Sequence, residues 1–223
     1  MSIVGPSGCG KSTLLSIVAG LLAPTQGVVK LEGRPVSAPV IEMVYLFQQY
    51  SKSLFPWRRV SHNVALGLEV EARRGARGGS EIKALCEEYL ALVGLHKVGH
   101  LYPWQLSGGM QQRVAIARAL VAGPKLLLMD EPFSAVDALA RNQLQDLVLE
   151  LWRRLNITIL FVTHDVDEAV YLSDRVVTLS RPPVRVLDCI ELDLPRPRSQ
   201  VDTRESPEFL RHRRELYARV TSA

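Results

Sequence analysis

Nine consecutive residues near the start of the chain, Gly5-Pro6-Ser7-Gly8-Cys9-Gly10-Lys11-Ser12-Thr13, limit what it can fold into more than any other stretch. They fit the pattern GxxxxGK[ST]. Its glycines let the backbone curl so that several N–H groups converge on a phosphate chain, at the positive end of the helix that follows. Such a loop works between a strand and a helix. Ser2 to Val4 reads as the strand. Thr13 to Leu22 reads as the helix, with Leu14, Ile17, Val18 and Leu21 on one face and a stop at Gly20 and Pro24. In this motif Lys11 bridges the β- and γ-phosphates and the Ser12 hydroxyl ligates Mg²⁺. Gly5, Ser7, Gly8, Cys9, Gly10 and Thr13 complete the phosphate-binding set. Cys9 reads either as a small inert filler or as a thiol made reactive by the helix start.

Short apolar strands alternate with longer amphipathic helices along the rest of the chain, which argues for an α/β fold. Val28 to Leu31, Ile41 to Phe47, Leu126 to Met129, Ile157 to Val162 and Val176 to Leu179 read as strands. Leu126 to Met129 is apolar at every position, as expected when both faces of a sheet are covered. From about Val60 to Gln112 helical periodicity takes over, with Ile82, Leu85, Cys86, Tyr89, Leu90 and Val93 on one face and a glycine-rich loop at Gly75 to Ser80. This segment reads as a helical insertion. A long helix carries Leu144, Leu147, Val148, Leu151 and Leu155, and Ser206-Pro207 opens a last helix.

The most apolar stretch, Leu14 to Ala23, is far shorter than the ~20 residues a bilayer needs, so a membrane role has to run through a partner. Cys9, Cys86 and Cys189 form no CxxC pair, which argues against a disulfide framework or a zinc site. The net charge of +4 falls partly on Arg196, Arg198, Arg204, Arg211, Arg213 and Arg214. Those arginines either solvate a helix or favour an anionic membrane surface.

Leu126-Leu-Leu-Met-Asp130-Glu131-Pro132 sets two carboxylates where a buried strand leaves the sheet, the end at which open α/β sheets bind ligands. Asp130 suits the Mg²⁺ side. Glu131 can point at the γ-phosphate as the general base that polarises the attacking water.

The segment that narrows the assignment is Leu106-Ser107-Gly108-Gly109-Met110-Gln111-Gln112-Arg113. It resembles the LSGGQ signature of the ABC ATPase family, with Met110 in place of the usual glutamine. Ser107 can cap the following helix, and Gly108 and Gly109 expose backbone N–H groups, a second helix start built for an anion. Phe47-Gln48, Ser134-Ala135-Val136-Asp137 and Val162-Thr163-His164-Asp165 resemble the family's Q-loop, D-loop and switch in the same order. The resemblance implies a P-loop NTPase core, residues 1–59 and 113–223, with a helical signature subdomain at residues 60–112. It implies ATP and Mg²⁺ as cofactors. Gln48 reaches Mg²⁺ or the lytic water, and His164 holds Glu131 and the γ-phosphate. Ser107, Gly108 and Gly109 serve the nucleotide of a second ATPase subunit.

A finer resemblance, carried by Ser53-Leu-Phe-Pro-Trp57, Leu194-Pro-Arg-Pro-Arg198 and Arg204-Glu-Ser-Pro-Glu-Phe209, is to the nitrate, sulfonate, taurine and bicarbonate importers. It implies transmembrane permease subunits, an extracytoplasmic solute-binding protein and a peripheral seat on the cytoplasmic face of the membrane. Tyr50, Phe55 and Trp57 read either as local core or as the rim of a groove for the permease. DNA- and ribosome-acting members of the family are the main competing reading. They carry long coiled coils or paired cassettes, and neither is evident here, so no nucleic-acid partner is expected. The catalytic residues argue against an inactive regulatory cassette. Family members also carry antiparallel strands and an adenine-stacking aromatic ahead of the phosphate loop, and this chain is expected to lack them.

Overall fold

A computed structural model describes residues 1–48, 53–69, 78–134 and 136–221. The chain divides into two compact units, one of Met1–Val40, Leu128–Glu131 and Ile159–Ala223, the other of Ile41–Leu127 and Pro132–Thr158.

The first unit is built on a mostly parallel sheet. Strand β1 (Ser2–Val4) lies between β6 (Thr158–Thr163) and β7 (Arg175–Leu179) and pairs with both in parallel, Ile3 opposite Val162 on one side and Val177 on the other. Every residue of β1 is buried, as its central place in the sheet requires. The last residues of β5 (Leu126–Asp130) extend the sheet beyond β6. Leu128 and Met129 are fully covered, which is why that strand reads as an unbroken apolar run. At the other margin β8 (Val186–Glu191) runs antiparallel to β7. Sequence reading did not assign β8, because its exposed positions leave no clean alternation for periodicity to detect. Helix α6 (Val166–Leu172) connects β6 to β7. A short helix α7 (Asp202–Glu205) leads into α8 (Pro207–Thr221), which packs on α6 through its buried residues Phe209, His212 and Leu216. Ser206 accepts a hydrogen bond from the Phe209 amide, the cap expected from sequence.

Helix α1 (Lys11–Val18) departs from expectation. It starts two residues earlier and ends at Val18, and its buried residues are Lys11 and Leu15 rather than a face led by Leu14 and Leu21, which are exposed. Opening at Lys11 sets that residue and Leu15, four apart, on the same inward face. The strand expected over 28–31 shrinks to β2 (Lys30–Leu31). It forms an antiparallel pair with β3 (Arg34–Pro35) across a turn at Glu32-Gly33.

The second unit holds β4 (Met43–Leu46) and a helical cluster of α2 (Val60–Ala65), α3 (Gly79–Leu92) and α4 (Gly108–Leu120), each packed on the other two. Val60, Val64, Cys86, Leu90, Val93, Val114 and Ala117 form its core, and the periodic residues of α3 face inward as read. Of the glycine-rich loop read at Gly75 to Ser80, residues 75–77 lie outside the described residues, Gly78 caps α3, and Gly79 and Ser80 open it. Asn63, fully buried, knits the entry to α2. It accepts from the Phe55 amide and donates to the Phe55, Arg58 and Arg59 carbonyls. Helix α5 (Ala138–Leu155) buries Leu144, Leu147, Val148 and Leu151, and Asn156 ends it in the left-handed conformation. Among the described residues no helix is long and apolar enough to cross a membrane.

Candidate functional site

The loop between β1 and α1 curls through two left-handed glycines, Gly8 (φ 78°) and Gly10 (φ 89°), and Gly10 is itself the cap of α1. A residue with a Cβ would be strained at either. A glycine cap leaves the first-turn amides of α1 without a side-chain acceptor, the arrangement that suits an anion. Lys11 is almost wholly buried, and its ammonium donates to the Gly5 carbonyl at 2.8 Å and the Pro6 carbonyl at 2.9 Å, so the positive charge stays inside the loop. Cys9 is buried. A Cβ on Gly5 would meet its sulfur at 3.0 Å, so the thiol points into the protein and fills space, the first of the two readings above. Ser7 and Thr13 are exposed.

Ser12 and Asp130, 118 residues apart in sequence, meet at 3.1 Å, the hydroxyl donating to a carboxylate oxygen. These are hard oxygen donors. Mg²⁺ accepts such groups in small number beside phosphate oxygens and water, so this pair fits the ion. Asp130 closes β5 and is buried.

The next residue, Glu131, holds a left-handed backbone (φ 44°) with no glycine to excuse it. Strain of this kind costs about 1–3 kcal/mol and collects at functional sites. The Glu131 amide donates to the Val162 carbonyl at 3.0 Å, which fixes the turn. Its carboxylate then lies 3.2 Å from Nδ1 of His164. The glutamate side chain is mostly covered and the imidazole half-exposed, so the pair stands at the mouth of the site.

Beneath His164 is a network that sequence reading missed. Thr163 donates to buried Glu168 at 2.7 Å and accepts from the Asp165 amide at 3.0 Å. Asp165 caps α6 by accepting from the Asp167 and Glu168 amides. The spacing Thr-x-Asp-x-x-Glu around a helix start was the available signal.

The first unit thus brings together Gly5 to Thr13, Asp130, Glu131 and His164. The second unit holds the other expected site residues. Gln48 follows β4 and is exposed. Ser107 caps α4, its hydroxyl accepting from the Met110 amide at 3.3 Å, and Gly108 and Gly109 form the first turn. A cleft of about 600 Å³ opens there, lined among others by Ser107, Gly108, Gly109, Asp137 and Gln143. Asp137 caps α5 through the Leu139 and Ala140 amides, while Ala135 lies outside the described residues. Tyr50 lies outside them too. Phe55 and Trp57 stack at 5.1 Å with Trp57 largely exposed. A second exposed tryptophan, Trp104, stacks on Tyr102 at 6.1 Å and was not foreseen.

A family described as ABC transporter matches residues 1–134. The chain is 49% identical over 216 residues to an uncharacterised ABC transporter ATP-binding protein of Methanocaldococcus jannaschii, covering 97% of this chain and 77% of that one. It is 46% identical over 217 residues to the nitrate import ATP-binding protein NrtC of Synechococcus elongatus, covering 97% of this chain but 32% of that longer protein. Among solved structures it resembles the dimeric post-hydrolysis state of the ATP-binding cassette MJ0796 bound to ADP and Pi. The TM-score is 0.68 and the identity 34%, over 84% of each chain. With that phosphate loop, its paired acids and these relatives, the chain belongs to the ABC transporter family, as an ATP-binding ATPase.

Proposed function

We propose that this chain is the ATP-hydrolysing subunit of an importer of a small solute, with nitrate, sulfonate, taurine and bicarbonate as the candidate cargoes. The likeness to a nitrate import protein supports this, as do the segments at Ser53–Trp57 and Leu194–Arg198. Two copies act head to tail beneath transmembrane permease subunits, at the cytoplasmic face of the membrane, with a solute-binding protein outside. Residues 1–59 and 113–223 form the nucleotide core, and residues 60–112 the signature subdomain. No nucleic acid takes part. The exposed stack of Phe55 and Trp57 supports the reading of that segment as a permease-facing rim.

The observation that carries the hydrolytic reading is the assembly of Ser12 with Asp130 and Glu131 with His164 in one unit. The amides of the glycine loop and Lys11 hold the phosphates. Ser12 and Asp130 would hold Mg²⁺, which would supply positive charge to the phosphate oxygens. Glu131 orients the attacking water and takes its proton, and its strained backbone keeps the carboxylate aimed out of the strand end. His164 fixes that carboxylate through Nδ1 and presents its other edge to the γ-phosphate. Gln48 keeps the role its likeness to the family's Q-loop implies, reaching Mg²⁺ or the lytic water and sensing the permease. Ser107 and the Gly108 and Gly109 amides supply donors to the nucleotide on the partner copy.

Glu131→Gln tests this reading. It should leave ATP binding intact and lower turnover by about 10²–10⁴, the usual loss with a general base. Calorimetric titration with ATP and a phosphate-release assay measure the two quantities. Turnover at the unaltered rate would remove Glu131 from the chemistry.

A further inference from the structure

The arginines of the C-terminal segment do not simply face water. The side chain of Arg198 is completely covered. Its Nη1 donates to the carbonyls of Tyr171 and Ser173 at 2.8 Å each and of Val170 at 3.4 Å, and Nη2 reaches Asp174. Those carbonyls are the C-terminal end of α6, the negative end of its dipole, where a cation is favoured. Burial, and then the neighbouring Arg196 charge, push the Arg198 pKa down to about 10 against the pull of Asp174 and Tyr171, and the guanidinium stays charged at neutral pH. At the other end of α6, Arg213 on α8 pairs with Asp167 in the first turn at 2.8 Å. Between them the Arg204 guanidinium lies 4.8 Å from the Tyr171 ring.

Helix α6 has seven residues, too few to hold its own shape in water. It begins at the residue after the Asp165 cap, and Asp165 follows His164 directly. Burial does not fix His164, whose side chain is half-exposed, so its placement against Glu131 depends on the backbone that α6 anchors.

We propose that the C-terminal segment is a clamp on α6, and that Arg198 and Arg213 are positioning residues for hydrolysis, acting through His164. The proposal rests on the reading that His164 works in the hydrolytic step. A clamp of this kind leaves nucleotide binding at the glycine loop alone and sets how often the Glu131–His164 pair is correctly formed. Whatever lifts the tail slows turnover.

Steady-state ATPase kinetics on the full chain test it. Arg198→Gln should lower kcat by about 10- to 100-fold, the scale of a misplaced catalytic group, with KM for ATP unchanged. Arg198→Lys should recover most of that loss, because one ammonium can donate to the three carbonyls that Nη1 serves. In a His164→Ala background, Arg198→Gln should add no further loss. A folded Arg198→Gln protein with unaltered kcat overturns the clamp, as does a loss confined to KM, or one that keeps its full size without His164. Should Arg198→Gln fail to fold, Arg213→Gln decides. Its half-exposed ion pair contributes little to stability. A several-fold drop in kcat there supports the clamp, and no change overturns it. The control separates the two ideas: if His164→Ala alone leaves kcat intact, the reading of the site has failed rather than the clamp.

Discussion

Helices α1 and α4 both start on glycine-rich turns, and they are finished differently. At α1 the cap is Gly10 in the left-handed region, a buried lysine follows it, and the Ser12 hydroxyl meets Asp130. At α4 the cap is Ser107 in extended conformation, its hydroxyl satisfies the Met110 amide, and an open cleft stands before it. The first start has donors, a cation and a carboxylate within its own unit, enough to hold a nucleotide with its metal. The second offers a hydroxyl and amides. A helix start of the second kind is suited to completing a site whose charged groups come from elsewhere, which is the physical case for composite sites between two copies.

The largest expected effect strikes the first start. Lys11→Ala removes the cation from the loop and should reduce turnover by about 10²–10³, as losing one preorganised electrostatic group does. Nucleotide affinity should fall with it. If Lys11→Ala bound and hydrolysed ATP like the parent chain, the two helix starts would not differ in the way described.

Ser107→Ala should act more mildly on one chain by itself. It costs the α4 cap about 1 kcal/mol of stability, read as a lower midpoint in urea, and leaves binding of one ATP to the isolated chain unchanged. Asp137→Ala should cost a similar cap energy at α5, about 1 kcal/mol. Weakened binding of ATP to monomeric Ser107→Ala would mean that α4 serves the nucleotide of its own chain.

The smallest effect lies away from both starts and sharpens the contrast by sparing them. Burial, and then the Arg211 charge, hold the His212 pKa below its ordinary value, opposed by Glu215 and Asp193. The unfolded chain therefore takes up the proton more readily than the folded one. Stability is full above the ordinary histidine pKa of about 6.5, is lost as pH falls through it, and levels off below the folded value. Thermal unfolding at about pH 8 and about pH 5.5 should show a larger drop in Tm than in His212→Gln. Identical drops would mean that His212 does not report on the seating of α8.

Much of this was legible in the chain itself. Gly5 to Thr13 and the apolar run ending at Asp130-Glu131 announce the turn and the covered strand they form, because turn geometry and burial on both faces leave direct marks on composition. Ser12 and Asp130 were each expected at the metal, and the fold brings them to 3.1 Å. Four features were not legible, for different reasons. The inward face of α1 was misread because Leu14 and Leu21 carry the hydrophobicity while the buried positions include a lysine. Strand β8 gains its place from backbone pairing with β7 rather than from apolar side chains, so periodicity is silent there. Arg198 resembled its neighbours in a basic tail, since its burial depends on carbonyls more than twenty residues away. The left-handed backbone of Glu131 left no trace in residue type at all.

The central claim is that the start of α4 in one copy completes the nucleotide site of another. It is tested most directly by mixing two damaged chains. With Glu131→Gln in both to stop turnover, one chain carries Lys11→Ala and the other Ser107→Arg, and ATP retained after gel filtration is measured. Each alone should run as a monomer, with no ATP trapped in a dimer. The mixture should retain ATP and run as a dimer, because one undamaged loop and one undamaged Ser107 face each other across it. A mixture that retains no more ATP than the separate chains would contradict the account.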